Sequence, residues 1–132
     1  MTLTQQAVVP FTEDIVARAR RNQSFREVVS TGPHAQVVVM SIPQAGEIGA
    51  EIHADVDQVL VVVDGEGVAI LEGQRNPVSV GHLVHVPAGT LHNIVNVGTT
   101  DLKLYTVYAP PQHAPGTIHR TKADADADDE HA

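Results

Sequence analysis

The chain has 132 residues, a formal net charge of −8 and no cysteine, and it is 42% hydrophobic but only 3% aromatic. These figures predict one domain with an aliphatic core, and they exclude disulfides and thiol chemistry. The sequence has no basic patch to neutralise phosphates and no apolar run of membrane-spanning length, so we expect neither nucleic acid nor a membrane as a partner. The N-terminal residues lack the basic and apolar regions of a secretory signal, which predicts a cytoplasmic protein.

The first predicted element is a short helix over residues 12–22. Thr12 can cap it, Glu13 and Asp14 stand in its first turn, and arginines stand near its end, which suits the helix dipole. We therefore interpret residues 1–24 as an N-terminal arm with a helix, and we expect the helix to pack against the outside of a larger structure.

From residue 25 onward the sequence has the pattern of a β domain, which we place at residues 25–110. Valine-rich segments are interrupted by turn residues at short intervals, and this is typical of a β-sandwich or a closed barrel. The predicted strands cover residues 26–30, 36–42, 48–53, 58–63, 67–71, 78–80, 83–86, 92–97 and 101–107.

Two of these strands carry further signals. The pair Asp64-Gly65 between the strands at 58–63 and 67–71 indicates a β-hairpin. The run Val-Leu-Val-Val-Val at 59–63 is apolar on both faces. One face should point into the core, and the other should lie under a second sheet or a partner subunit.

The C-terminal part of the sequence differs from the β domain. Prolines exclude a helix or a central strand at 109–116, so we expect residues 111–122 to cross the surface as an extended segment. His113 and His119 on this segment could cover the mouth of a barrel. Residues 123–132 contain five acids and no lysine or arginine, which predicts a disordered, solvated tail.

One stretch, GHLVHVPAGTLHNIVN at residues 81–96, has a spacing that a plain hairpin does not require. Its fixed positions are Gly81, Pro87, Gly89, His92 and Asn96. This pattern resembles the second motif of the cupin superfamily. A degenerate form of the first cupin motif fills residues 46–67, where His53 matches the first histidine and Gly65 matches the closing glycine.

The resemblance covers residues 37–107 and implies an all-β fold, a cupin-type jelly-roll β-barrel with one short N-terminal helix. It also implies a homodimer, as is common for small single-domain cupins. The metal ligands of the family map onto His53, Asp55, Gln58 and His92, where Asp55 replaces a histidine and Gln58 replaces a glutamate. The two motifs together also resemble small bacterial cupins labelled mannose-6-phosphate isomerase-like.

The chemistry of these side chains can be argued from the residues themselves. His53 and Asp55 are two residues apart on a predicted strand and should face the same side, and His92 should begin a strand across the barrel. Two imidazoles and one carboxylate suit a divalent transition metal such as zinc, manganese, iron or nickel. Gln58 could add a weak neutral ligand. Alternatively, the two histidines serve as hydrogen-bonding or acid/base groups in a metal-free pocket.

Three functions stay open for such a site. A metal-dependent enzyme of isomerase or dioxygenase type could act on a small organic molecule, or a non-catalytic cupin could hold a metabolite or metal as a sensor. A 2-oxoglutarate-dependent oxygenase is the third, because His53, Asp55 and His92 imitate its ligand triad. The stretch after His92 carries Lys103 but no arginine to anchor the co-substrate, which speaks against this third function.

Overall fold

The computed structural model describes residues 9–130, and β-strands dominate this part of the chain. Residues 1–8, which belong to the expected N-terminal arm, lie outside it. Neither helix between residues 9 and 130 is long and apolar enough to cross a membrane. The elements in chain order are α1 (Ile15–Arg21), β1 (Arg26–Thr31), β2 (Gln36–Ile42), β3 (Asp57–Asp64), β4 (Glu66–Leu71), β5 (Gln74–Ser79), β6 (Leu83–Val86), β7 (His92–Asn96), β8 (Leu102–Ala109), β9 (Ile118–His119) and α2 (Lys122–Glu130).

The strands form two antiparallel sheets with the core between them. The larger sheet has the order β6-β3-β8-β2-β1-β9 and the smaller has the order β5-β4-β7. Buried aliphatic side chains of both sheets form one cluster, to which the larger sheet contributes Met40 and Leu60 and the smaller contributes Ile94. Burial of such side chains stabilises the fold by about 25 cal/mol per Å² of apolar surface. This is the jelly-roll architecture that the sequence predicts.

Helix α1 lies on the outer face of the larger sheet. It begins after Asp14, whose side chain accepts a hydrogen bond from the backbone N–H three residues later (3.0 Å), so Asp14 rather than Thr12 is the N-cap. Ala19 is fully buried and packs in one cluster with Val63 of β3. The helix therefore covers part of the outer face of the run 59–63, and this cover belongs to the same chain.

The connection at Asp64-Gly65 is not the expected hairpin. β3 lies in the larger sheet and β4 lies in the smaller, so the chain turns a corner here and passes from one sheet to the other. Gly65 has a φ of +89°, a region that favours glycine, and a Cβ on it would lie 2.7 Å from the backbone oxygen of Asp101. The hairpin prediction was wrong because a turn signal reports local backbone geometry and not which strands pair.

The strand predicted at residues 48–53 is not formed. This part of the chain runs beside β7 and joins it through two isolated bridges, at Glu47 and Glu51. Gly49 lies between them with a φ of +108°, which interrupts the extended backbone of a regular strand. We call residues 47–51 the bridge strip.

The segment expected to be a disordered tail contains the helix α2. Thr121 caps this helix by accepting a hydrogen bond from the backbone N–H three residues later (3.1 Å), and Lys122 pairs with an aspartate one turn further on (2.8 Å). Ala125 is buried in the main core. The prediction of disorder was wrong for residues 123–130 because it weighed the acidic charge and missed the alternating alanines, which favour a helix. Residues 131–132 lie outside the described part.

Helix α2 lies at the side of the molecule where the β9 edge of the larger sheet faces the bridge strip. Its Asp128 accepts a hydrogen bond from His119 of β9 (2.8 Å), and its Lys122 lies close to Gly49 of the bridge strip. The helix therefore closes a gap that the two sheets leave open.

Candidate metal centre

The turn between β6 and β7 places His92 at the start of β7. Gly89 in this turn has a φ of +83°, and its N–H donates a hydrogen bond to the carbonyl oxygen of His53 (2.8 Å). The N–H of Ala88 donates to Asp57 Oδ1 (2.9 Å). These two bonds tie the turn of the second motif to the segment of the first, so the glycine-to-histidine spacing in the sequence has a structural reason.

A hydrogen bond also sets the orientation and the tautomer of His92. Its side chain is buried, and Nδ1 lies 2.8 Å from the carbonyl oxygen of Thr90. Because a carbonyl oxygen can only accept, Nδ1 carries the proton. The lone pair of Nε2 is then available to a metal, which is the usual arrangement of a ligating histidine.

Glu51 and His53 complete a group of three potential ligands with His92. The two imidazole centroids are 5.2 Å apart, and Glu51 Oε2 lies 3.9 Å from His53 Nε2. One ligand atom from each of the three residues lies within 4.8 Å of the other two. Backbone hydrogen bonds in both directions between Glu51 and His92 (2.9 and 3.0 Å) fix this arrangement. Two imidazoles and one carboxylate are a donor set that fits a divalent transition metal.

The structure brings together two of the four ligands that the sequence predicts. His53 and His92 are neighbours, whereas Asp55 is exposed in a turn and lies outside the group of three. The argument for Asp55 required it to share one face of a strand with His53, and this segment is not a strand. Glu51, two residues before His53, supplies the carboxylate instead, and the same two-residue spacing in the sequence was the signal that could have found it.

Gln58, the fourth predicted ligand, is buried on the inner face of β3. The hydroxyl of Thr106 donates its proton to the carbonyl oxygen of Val59 (2.9 Å). Thr106 Oγ1 can therefore only accept from Gln58, and it does so from Gln58 Nε2 (3.1 Å). The amide oxygen of Gln58 is left buried without a hydrogen-bond partner. Such a group costs about 1–3 kcal/mol of stability, which a bound ion or a donor group of a ligand would offset.

Replacing Gln58 by Glu should tighten the binding of Zn²⁺ or Mn²⁺ by roughly tenfold, or ~1.4 kcal/mol, because a negative charge would replace a neutral oxygen. Competition against a chelating dye measures this affinity. Gln74→Glu, which adds the same charge at an exposed position of β5, should leave the affinity unchanged. An equal or weaker affinity in Gln58→Glu would show that this side chain does not reach the ion.

The family model for the cupin domain matches residues 38–108, more than half of the chain. The chain belongs to the cupin family. The match covers both motifs and all strands from β3 to β7, so the three potential ligands lie inside the region that defines the family. The family resemblance and the jelly-roll fold predicted from the sequence are thus confirmed.

Several proteins are similar to this cupin. The uncharacterized protein YrkC of Bacillus subtilis is 46% identical over 123 residues, which are 88% of this chain and 66% of that protein. The crystal structure of BH2720 from Bacillus halodurans has a TM-score of 0.89 at 42% identity and covers 90% of this chain and 95% of that chain. An oxalate-binding protein of Thermotoga maritima is 29% identical over 68 residues, which are 52% of this chain and 56% of that protein. The chain thus spans less than two thirds of the length of YrkC and of the Thermotoga protein.

The interior of this cupin continues from the group of three into a row of rings. Tyr108 is buried, and its ring stands edge-on to His53 (6.1 Å) and to His113 (5.1 Å) between centroids. The backbone of His113 is held by Gln36, whose amide oxygen accepts from the His113 N–H (3.0 Å) and whose amide nitrogen donates to its carbonyl (2.7 Å). The proline-rich crossing segment therefore places His113 against Tyr108 on the inner wall.

Burial lowers the pKa of His113 to about 3, and the charges of Arg26, His119 and His53 act in the same direction. A histidine in the unfolded chain has a pKa of about 6.5, so the unfolded state binds more protons between about pH 3 and pH 6.5. The neutral ring therefore stabilises the fold above about pH 6.5, and this contribution is lost as the pH falls towards 3.

The variant His113→Phe should accordingly weaken the dependence of the unfolding free energy on pH. Urea denaturation between about pH 4 and pH 7 measures this slope. His85→Phe, a change at an exposed position of β6, should keep the slope of the wild type. A slope that is the same in all three proteins would contradict the burial argument.

A surface depression of about 460 Å³ lies away from the group of three and from His113. It is lined by residues 65–66, 79–80 and 97–100. Glu66 is the one ionisable side chain among them. Binding sites usually combine a concave apolar surface with a few convergent polar groups, so the group of three is the candidate site that we consider further.

Proposed function

We propose that this cupin binds one divalent transition metal through Glu51, His53 and His92 and uses the site to bind or convert a small organic molecule. The observation that carries the proposal is the approach of three ligand atoms to within 4.8 Å of one another inside the barrel. The donor set suits zinc, manganese, iron or nickel, and three protein ligands leave coordination positions for a ligand. Such an ion supplies Lewis-acid chemistry or a site for oxygen activation.

The residues around the group give the site a fixed shape. Thr90 sets the tautomer of His92, and the backbone pairing with His92 holds Glu51 in place. Tyr108 packs edge-on against His53, and the unpaired amide oxygen of Gln58 offers a further neutral donor. A site whose ligands are fixed by neighbours binds its ion with little reorganisation.

The metal content of the purified full chain tests this proposal. Wild-type protein, purified without a chelator and analysed for its elements, should hold about one transition metal per chain. Glu51→Gln removes the carboxylate and should reduce that content to a small fraction. Asp55→Asn makes the same chemical change at the exposed acid nearby and should retain the metal. Equal metal content in Glu51→Gln and wild type would overturn the assignment of Glu51.

An enzyme of isomerase or dioxygenase type and a non-catalytic sensing cupin could both use this site. One observation favours the binding role, namely that the Thermotoga relative is named an oxalate-binding protein, and it makes oxalate the first ligand to test. For a sensor, the ligand should raise the melting temperature without product formation. For an enzyme, turnover should disappear in His53→Ala and in His92→Ala. The oxygenase hypothesis drew its carboxylate from Asp55, which is exposed, and is not part of the proposal.

A homodimer is a further part of the proposal, and the outer face of the larger sheet supports it. A shallow groove of about 230 Å³ lies there beside α1, and Phe11 at its rim is 54% exposed. Exposed apolar patches of this kind often mark contacts between subunits. Sedimentation of the full chain should give the mass of two copies, and the mass of one copy would contradict the dimer. The groove is lined by Phe11, Glu13, Ile15, Val29, Val37, Tyr105 and Val107.

A further inference from the structure

Arg26 is a buried cation on the inner face of the larger sheet. It alternates along β1 with the core residue Val28 and lies opposite Met40, also a core residue, in the register of β1 and β2. Its side chain points inward with them, and the residue is 4% exposed. Burying a guanidinium is costly unless an opposite charge or several hydrogen bonds compensate it.

The described partners of Arg26 compensate this cost only in part, and one of them is the ring of Phe25, whose centroid lies 5.4 Å from the guanidinium carbon. Nη1 contacts Nδ1 of His119 (3.2 Å), and Nε is buried without a hydrogen-bond partner. Among the side chains of residues 9–128, none of the ion pairs joins Arg26 to a carboxylate. A guanidinium presents a rigid fork of donors that matches a carboxylate, so Arg26 could bind an anion that none of the described side chains supplies.

A cavity of about 190 Å³ is shared by Arg26 and by Glu51, one member of the group of three. It lies between β1, the bridge strip and α2, and both Arg26 and Glu51 line it. Lys122 and Asp126 also line it, and they pair with each other (2.8 Å). Since a cavity of about 150 Å³ holds a benzene molecule, this space admits roughly six to eight non-hydrogen atoms.

We propose that Arg26 binds a carboxylate of a small acid that lies in this cavity, with its other end directed towards Glu51, His53 and His92. This inference rests on the proposed function, because it names the chemical class of the molecule that the site takes. The ligand is a short dicarboxylate or a similar acid with a second oxygen group. No sequence motif indicated this role, because Arg26 lies outside both motifs.

Helix α2 orients Arg26 through two hydrogen bonds. Asp128 accepts the proton of His119 Nε2 (2.8 Å), so Nδ1 of the neutral ring is an acceptor for Arg26 Nη1 (3.2 Å). The carboxylate of Asp128 is 64% exposed and does not itself line the cavity. Asp128 and His119 are therefore positioning residues, and Arg26 contacts the ligand.

The test uses malonate, which has the size the cavity admits, and malonamide, which has the same shape without charge. Calorimetric titration of the full chain, both metal-loaded and metal-free, should show malonate binding and no malonamide binding. Arg26→Gln should weaken malonate binding at least about tenfold, and Arg26→Lys should weaken it too, because lysine lacks the fork. Asp128→Asn should weaken it about threefold to tenfold through loss of orientation. Asp124→Asn, the same change at an exposed position of α2, should have no effect.

Three results would overturn the inference: malonate binding that is unchanged in Arg26→Gln, equal binding of malonamide, or no malonate binding to wild type in either metal state. If Arg26→Gln does not fold, Asp128→Asn against Asp124→Asn decides, because both positions are exposed. The metal content of each variant separates this inference from the proposed function. If the protein takes up no metal but its malonate binding depends on Arg26, the inference is supported and the proposed metal centre is contradicted. If the protein binds metal but Arg26→Gln does not change the malonate affinity, the metal centre is supported and the inference is contradicted.

Discussion

Addition of Zn²⁺ or Mn²⁺ should raise the melting temperature of the wild-type chain and leave that of His92→Ala almost unchanged. A ligand at about 100 times its dissociation constant stabilises the native state by about 2.7 kcal/mol, which corresponds to roughly 10 °C for a domain of this size. His92 supplies one of the three ligand atoms, and its Nε2 lone pair is held towards the group by the bond to Thr90. Removing it should lower metal affinity at least about 100-fold. Differential scanning calorimetry with and without the ion measures both proteins.

His85→Ala is the matched control, because His85 is an exposed histidine on the neighbouring strand β6. This variant should keep the full shift in melting temperature. A shift of the same size in His92→Ala would place the ion elsewhere, and the acidic helix α2 would be the first place to look. Circular dichroism of His92→Ala without metal should show the wild-type sheet content. The absence of a shift in its melting temperature can then not be attributed to unfolding of the variant.

The second large effect should come from Gly65→Ala, which we expect to lower the unfolding free energy by at least about 3 kcal/mol, or roughly 10 °C in melting temperature. The left-handed backbone at Gly65 penalises any side chain by about 1–2 kcal/mol. The added Cβ would also lie 2.7 Å from the backbone oxygen of Asp101, and this atom, immediately before β8, cannot move without shifting the strand. Chemical denaturation of both proteins gives the difference.

Gly73→Ala separates the two causes. Gly73 has a φ of +81°, close to that of Gly65, but a Cβ there would meet nothing within 4 Å. Only the backbone penalty applies, so the expected loss is about 1–2 kcal/mol. If Gly65→Ala costs no more than Gly73→Ala, the close approach to Asp101 is not what restricts this corner to glycine.

The sequence predicted the local parts of the fold better than the pairing of strands. The strand at Gln36–Ile42 has the predicted bounds, because a short valine-rich run bounded by turn residues is a local property of the sequence. The corner at Gly65 was mistaken for a hairpin because pairing depends on residues far away in the chain, such as those that join β3 to β8. The acidic segment after Thr121 forms a helix that docks on the core, which charge composition alone does not reveal.

The candidate site shows the same difference between local patterns, which the sequence reveals, and features that depend on the tertiary structure. His53 and His92 were selected from the sequence because of their spacing to glycines, and the bonds around Gly89 explain that spacing. The carboxylate was assigned to Asp55 instead of Glu51, because the choice depends on whether the segment is a strand or a turn. Arg26 had no sequence signal, since its proposed role comes from its burial and from an Nε that is buried without a hydrogen-bond partner.

The turn before β7 is joined to the first motif by the Gly89 N–H on the His53 carbonyl and by the Ala88 N–H on Asp57. On the turn side both bonds come from the main chain, and neither involves the imidazole or carboxylate of a potential metal ligand. Mutation can therefore exchange ligand side chains while the distance between the two motifs is kept. The backbone bonds that set the distance between the motifs can thus stay the same while the ligand side chains change. This gives a physical reason why one scaffold can carry many different activities. In this chain Asp55 and Gln58 stand where the resemblance to the cupins implies a histidine and a glutamate, while both bonds between the motifs are present.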